Sequence, residues 1–206
     1  MTDSTRPGKI VCVGRNYRAH AKELGNDVPA EPLIFLKPPS SVIRTGGTIA
    51  LPTVSSQVEY EGEIGVVIGT TLSRADEAQA QRGIRGIVAL NDVTARDLQR
   101  SDGQWTRAKG FDTFCPVGNE VPAPADLHSL EVTTRVNCSV RQHASASEMV
   151  FAIPMLLAYI SSIMTLEPGD VVATGTPAGV SRLDIGDVVE VQVAASVVRN
   201  SVAASG

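Results

Sequence analysis

The 206-residue chain carries 18 Lys+Arg against 22 Asp+Glu, a formal charge of −4, with 43% hydrophobic and 4% aromatic residues. That apolar share suits one globular domain over 1–206 with a polar tail over 1–8, and the missing basic block argues against nucleic acid as a partner. The N-terminus lacks an apolar signal core and no later run is long enough to span a bilayer, so no membrane partner is expected and the expected address is cytoplasmic.

Short β-branched runs alternate with Gly, Pro, Asn and Asp, which predicts a mostly β chain of the α+β class. In order, the predicted strands are Lys9–Val13, Leu33–Lys37, Val58–Ile68, Ile84–Asp92, Glu131–Val136, Asp170–Thr174 and Val188–Val193. Three helices are predicted among them. One runs from about Tyr17 to Leu24 after Gly14-Arg15-Asn16; a second follows Ser73, which with Asp76 resembles a capping arrangement. The third has Pro154 in its first turn and an apolar stripe of Leu156, Leu157, Ile160 and Ile163 before Pro168-Gly169 stops it. Cys12, Cys115 and Cys138 are widely spaced among apolar neighbours, and read as small buried hydrophobes in a reducing compartment rather than as a disulfide or zinc framework.

The most unusual segment is Val58-Glu59-Tyr60-Glu61-Gly62-Glu63-Ile64. A continuous strand puts Glu59, Glu61 and Glu63 on one side, with carboxylates roughly 6 to 7 Å apart at successive same-face positions. Such a cluster wants a counter-charge, and Mg²⁺ or Mn²⁺ with hard oxygen ligands is one answer. The solvated face of an edge strand is the other. Asp92 adds a third carboxylate at the end of the apolar run Ile87–Asn91, where it either joins a site or caps the next helix.

Three further segments carry polar chemistry. His20 and Glu23 stand three residues apart on the first helix, where the carboxylate can orient the imidazole as a base or form only a surface ion pair. His128 and His143 lie in polar, turn-like contexts, leaving His20 the best-placed base of the three. Asp97-Leu98-Gln99, then Trp105, Arg107 and Lys109-Gly110-Phe111-Asp112, suit a wall that grips carboxylates, or a solvated loop. Thr174-Gly175-Thr176-Pro177-Ala178-Gly179 follows a strand and can offer N–H groups and a hydroxyl to an anion, or be a tight turn.

Together these segments resemble the fumarylacetoacetate hydrolase superfamily, in its short single-domain members related to acylpyruvases, oxaloacetate decarboxylases and homoprotocatechuate-pathway isomerase/decarboxylases. The likeness runs from about Lys9 to Val202. It rests on Gly14-Arg15-Asn16-Tyr17 with His20 and Glu23, Glu61-x-Glu63, Asn91-Asp92-Val93-Thr94-Ala95-Arg96-Asp97, Lys109-Gly110-Phe111-Asp112 and Gly175-Thr176-Pro177-Ala178-Gly179, in the family's order.

The resemblance implies a mixed β-sandwich or rolled barrel with a few short helices, assembled as a homodimer. It implies one Mg²⁺ or Mn²⁺ per chain on Glu61, Glu63 and Asp92. His20 with Glu23 becomes a water-activating dyad, Lys109 a group that neutralises charge on bound substrate, and Arg15, Tyr17, Gln99 and Thr176 substrate contacts. Two departures stand out. The chain starts almost at the first family strand, so the extra N-terminal domain of true fumarylacetoacetases is not expected; and Ala194-Ala195-Ser196-Val197-Val198-Arg199-Asn200, in the last hairpin, stands where relatives tend to have a Gly-containing turn.

The reaction implied is C3–C4 cleavage of a 2,4-dioxo or 3-carboxy-2-oxo acid through a metal-bound pyruvate enolate, by acylpyruvate hydrolysis or oxaloacetate decarboxylation. An isomerase or hydratase of 2-hydroxy-dienoates or 2-oxo-enoates, and a non-catalytic metal or 2-oxo acid binding protein, are the alternatives. On this reading Asp92→Ala abolishes metal binding while leaving the fold intact.

Overall fold

The computed structural model of the chain describes residues 6–23, 25 and 27–205. Fourteen strands occur in the order β1 (Ile10–Gly14), β2 (Leu33–Lys37), β3 (Val42–Ile43), β4 (Thr48–Leu51), β5 (Val58–Glu59), β6 (Gly62–Ile68), β7 (Ile84–Asn91), β8 (Thr94–Ala95), β9 (Cys115–Pro116), β10 (Glu131–Val136), β11 (Ser139–Ser145), β12 (Val171–Ala173), β13 (Val188–Val193) and β14 (Ser196–Ala204). The helices are short: α1 (Arg18–Glu23), α2 (Glu77–Arg82), α3 (Arg96–Ser101), α4 (Thr106–Lys109) and α5 (Ile153–Ile163). None is long and apolar enough to cross a membrane.

Two five-stranded sheets form the body, ordered β2-β1-β12-β6-β7 and β11-β10-β13-β14-β4, and neither closes into a barrel. Alternation along the strands explains how they stack. Val11, Val13, Ile64, Val66, Ile87 and Ala89 of the first sheet share one buried cluster with Val132, Val191, Val193 and Val198 of the second. The intervening residues Ile10, Cys12, Val67, Val88 and Leu90 face the other way and pack on Val42, Cys115 and Val117. The first sheet is therefore apolar on both faces, and its strands read as unbroken hydrophobic runs.

Helix α5 joins the inter-sheet core through Leu156, Leu157 and Ile160, each fully buried. At roughly 1.5–3 kcal/mol per buried side chain, this stripe anchors the helix to the core between the sheets. Its proline stands at the second position, as expected. Helix α2 is capped by Asp76 in a reciprocal box with Gln79, so Asp76 rather than Ser73 opens it. Helix α1 covers Arg18–Glu23, and the predicted end at Leu24 lies outside the described residues.

Other expectations change. The run Val58–Ile68 is not one strand, because pairing lapses at Tyr60 and Glu61 between β5 and β6. Gly62 restarts it at a point where a Cβ would lie 1.9 Å from Thr134 Oγ1 of the second sheet. Cys12 and Cys115 are buried, but Cys138 is exposed; with Asn137 it forms the two-residue turn between β10 and β11, both residues at positive φ. His143 lies on β11, where it hydrogen-bonds Thr133 from an exposed position rather than in a turn. Ala194 holds φ at 50° in the last hairpin, taking the conformation for which glycine is the ordinary choice.

Candidate active site

Strand directions bring the singled-out segments to one end of the first sheet. β1 runs parallel to β12, β6 antiparallel to β12, and β7 antiparallel to β6. The ends of β1, β12 and β7 and the start of β6 therefore lie side by side, and Arg15, Thr176, Asp92 and Glu63 follow or open those strands. Glu63 pairs with Leu90, so Glu63 and Asp92, two residues beyond Leu90, project from the same face. The break before Gly62 turns Glu61 toward them. Its N–H donates to Asn91 Oδ1 at 3.0 Å and its carbonyl accepts from Asp92 N at 2.8 Å.

Glu61, Glu63 and Asp92 thus converge in a buried cluster whose ligand oxygens, one per residue, lie within 4.8 Å of one another. Lys109 Nζ donates to Glu61 Oε2 at 2.7 Å and to Asp92 Oδ2 at 2.6 Å; Lys37 Nζ takes the other oxygen of Asp92 at 2.7 Å. Arg96 bridges Glu61 Oε1 at 2.6 Å and Glu59 Oε2 at 2.8 Å. Glu59 is held by Arg96 and Gln57 outside the triad, so the three-glutamate face expected of a continuous strand does not form.

These neighbours set the charge states. Burial alone would raise the Glu61 carboxyl, but the charges of Lys109 and Arg96 outweigh it and hold it far below the usual range. Burial would lower Lys109, yet Asp92 and Glu61 keep it protonated. Glu63 goes the other way: burial, then the charges of Asp92 and Glu61, push it well above the ordinary carboxylate value. Its Oε2 accepts Gly175 N–H at 2.7 Å, and it has no ion-pair partner among the described residues.

The donor set therefore suits a hard divalent cation. Four carboxylates, Glu59, Glu61, Glu63 and Asp92, meet three cationic side chains, Lys37, Arg96 and Lys109. The least neutralised of the four belongs to the triad, and all three donors are oxygen.

The remaining expected residues gather at the same place to different degrees. His20 is buried at the cavity wall, with Nδ1 3.2 Å from Glu23 Oε2, while Glu23 also accepts Gly179 N–H at 3.0 Å. Arg15, Gln99, Lys109 and Thr176 line a cavity of about 340 Å³ together with His20 and the triad. Gln99 accepts from Arg96 Nη1 at 2.6 Å, and Thr176 Oγ1 is engaged by Gly62 O and Gln142 Nε2. Tyr17 and Glu23 do not line the cavity. The Tyr17 hydroxyl is buried without a hydrogen-bond partner, and burial together with the charges of Glu63 and Glu148 drives it strongly toward the protonated form.

Sequence reasoning missed several participants. Lys37 ends a strand predicted only for its apolar content, and Arg96 stood inside a quoted motif without a role. Asn16 ties three segments together, donating to Phe151 O at 3.1 Å and Thr174 O at 2.8 Å and accepting from Phe151 N at 2.8 Å. Beside it, Gly175 sits at φ 104°, where a Cβ would come 2.7 Å from Asn16 Cβ. Phe35, also missed, meets Trp105, which the sequence had already offered as wall, edge to face at 5.2 Å, with Lys109 Nζ 4.9 Å from the Phe35 ring centre.

Comparison with known proteins establishes the family. Residues 9–203 match the family described as Fumarylacetoacetate (FAA) hydrolase C-terminal. The chain is 48% identical over 184 residues to a mitochondrial oxaloacetate tautomerase of Arabidopsis thaliana, covering 86% of this chain and 82% of that protein. It is 43% identical over 189 residues to a mitochondrial oxaloacetate decarboxylase of Dictyostelium discoideum, covering 88% and 87%. Among solved structures, a 2-hydroxyhepta-2,4-diene-1,7-dioate isomerase from Mycobacterium marinum superposes with a TM-score of 0.89 at 44% identity, covering 98% of this chain and 76% of that one. With a match over nearly its whole length and relatives this close, the chain belongs to the fumarylacetoacetate hydrolase family of enzymes.

Proposed function

We propose that the protein is a divalent-cation-dependent enzyme that cleaves the C3–C4 bond of a 2-oxo acid, hydrolysing an acylpyruvate or decarboxylating oxaloacetate. The observation that carries this reading is the convergence of Glu61, Glu63 and Asp92 on one wall of a cavity that His20 and Lys109 also line. One Mg²⁺ or Mn²⁺ per chain, held by those three carboxylates, supplies Lewis-acid polarisation of the 2-oxo group when bound.

The chain's own residues do the rest. Lys109, kept charged by Asp92 and Glu61, offsets the negative charge that develops on the substrate's 2-oxygen as the bond breaks. Glu23 holds His20 Nδ1, leaving Nε2 to take a proton from water, which attacks the distal carbonyl of an acylpyruvate. Oxaloacetate needs no such water, because loss of CO₂ leads to the same pyruvate enolate. Arg15, Gln99 and Thr176 form the walls against which the substrate lies, and Trp105 with Phe35 limits access of bulk solvent. Tyr17 supports the site from behind the cavity wall. The homodimer belongs to the same proposal, and light scattering tests it.

A second reading, a proton shift without carbon–carbon cleavage, is favoured by the relatives from Arabidopsis thaliana and Mycobacterium marinum, whose names are a tautomerase and an isomerase. The test is a screen of acylpyruvates, oxaloacetate and 2-hydroxy-dienoates with Mg²⁺ or Mn²⁺, following pyruvate, CO₂ and ultraviolet absorbance. Pyruvate release supports cleavage; an absorbance change without fragments supports the proton shift. Tight binding of 2-oxo acids without turnover of any of them would overturn both and leave a binding protein.

A further inference from the structure

The cations around the cavity fall into two groups. Arg96 and Lys109 are buried and each is bonded to two carboxylates. Arg15 is half-buried and Arg100 exposed, both line the cavity, and neither has an acidic partner among the described residues. Arg100 is steadied instead by a neutral acceptor, donating through Nη2 to Gln57 Oε1 at 2.8 Å, and Gln57 is itself fixed to Glu59 at 2.6 Å. Arg15 keeps its side chain at a backbone φ of 59°, a conformation that favours glycine. The charge balance therefore runs from a floor where four carboxylates outnumber their three cationic partners to a mouth with two guanidinium groups that no carboxylate offsets.

A 2-oxo acid with its 1-carboxylate and carbonyl at the floor directs its distal group toward that mouth. We propose that Arg100, together with Arg15, binds the distal carboxylate of a dicarboxylic 2-oxo acid, which slows CO₂ loss from oxaloacetate and so favours, for that substrate, the proton shift of the second reading over decarboxylation. The inference rests on the reading that 2-oxo acids occupy this cavity.

The chemistry follows from where the charge goes. In decarboxylation the C3–C4 bond breaks, its electron pair passes to C3 and the 2-oxygen, and the C4 carboxylate leaves as neutral CO₂. An arginine pair that stabilises that carboxylate in the ground state loses its partner in the transition state, which raises the barrier. In tautomerisation a proton leaves C3 and another is delivered to the 2-oxygen, and the C4 carboxylate keeps its charge and its arginines throughout. His20, in the same cavity, is the proton carrier. An acylpyruvate has no carboxylate at the cleaved carbon, so its hydrolysis escapes this restraint.

Calorimetry with Mg²⁺ present tests the binding half, comparing 2-oxoglutarate with 2-oxovalerate, which share an oxo acid end and differ in the distal carboxylate. The wild type is expected to prefer 2-oxoglutarate by about tenfold or more, the worth of one charge-assisted contact. Arg100→Met is expected to lose most of that preference with 2-oxovalerate affinity unchanged, Arg100→Lys to retain part of it, and Arg15→Gly to weaken 2-oxoglutarate more than 2-oxovalerate. Because Arg15→Gly relieves the left-handed backbone, its Tm should equal or exceed that of the wild type, which separates lost recognition from lost folding. The second readout is CO₂ released per enol–keto conversion of oxaloacetate, which should rise several-fold in Arg100→Met. Equal binding of the two acids by the wild type, or an unchanged preference and CO₂ yield in the variants, overturns the proposal. A wild type that prefers 2-oxoglutarate yet turns over neither acylpyruvate nor oxaloacetate leaves this clamp standing and removes the proposed reaction.

Discussion

Lys109 Nζ lies 2.6 Å from Asp92 Oδ2, so an ammonium group already neutralises one of the carboxylates expected to hold a cation. Lysine and metal ion are therefore partial competitors for the same negative charge. Lys109→Met should lower turnover, yet bind Mg²⁺ more tightly than the wild type. Without the ion the variant should lose about 3–5 kcal/mol of stability, the usual cost of leaving buried charges unmatched. Thermal melts with and without Mg²⁺ check this: the ion should raise Tm more in the variant, and a smaller rise would show that Lys109 assists rather than opposes binding.

Asp92 anchors two lysines at once, Lys37 on Oδ1 and Lys109 on Oδ2, and is fully buried. The expectation that Asp92→Ala spares the fold does not fit this arrangement, since truncation takes from buried Lys37 its only carboxylate and from buried Lys109 one of its two. Asp92→Ala should abolish Mg²⁺ binding and also cost about 3–5 kcal/mol. Denaturant unfolding measures the second effect; wild-type stability would mean that both lysines find other partners.

His20→Ala should slow acylpyruvate hydrolysis about 10²- to 10⁴-fold, the usual worth of a general base. Its effect on oxaloacetate decarboxylation should be smaller, because that route needs no activated water. Comparing kcat for the two substrates in one preparation decides the matter, and equal losses would refute a role specific to water.

Asp97 gives a pH signature away from the triad. Burial pushes its carboxyl up, but hydrogen bonds from the Ser55 hydroxyl and the N–H groups of Ser56 and Leu98 prevail and lower it to about 2. A carboxyl depressed below its unfolded value of about 3.9 stabilises the fold above that pH, and the contribution disappears as pH falls through about 2. Allowing for partial exposure, this is worth about 1 kcal/mol, or about 2–4 °C in a chain of this size. Asp97→Asn should therefore melt earlier than the wild type at pH 7, and the gap should close as the pH approaches 2. A gap constant with pH would assign the effect to packing.

Much of the site was legible because its carboxylates sit at unusual places in apolar runs: Glu61 and Glu63 inside a strand pattern, Asp92 at the end of one. The long apolar strands and α5 were legible for the same reason, since period and turn residues agree. The interruption at Tyr60 and Glu61 was not, because it depends on Asn91 and Arg96 arriving from another segment. Strands β11 and β14 were missed because β11 is polar on its outer face and β14 mixes Arg, Asn and Ser with valine. Helices α3 and α4 were not among the three predicted, because they are only 6 and 4 residues long, too short for an apolar stripe to develop. Lys37 carried no signal, since nothing local distinguishes a strand-ending lysine in solvent from one reaching a distant aspartate.

The carboxylates proposed as ligands come from positions 61, 63 and 92, and the lysines opposing them from 37 and 109, so no short stretch of chain holds the pocket by itself. An unfolded chain would scatter these groups and keep little grip on the ion. Saturation should consequently register as resistance of the whole molecule to melting, by about 4 kcal/mol when free ion stands a thousandfold above its dissociation constant. The Tm then serves as a gauge of metal supply, and protein made under magnesium or manganese starvation should survive proteolysis less well than the same chain grown replete.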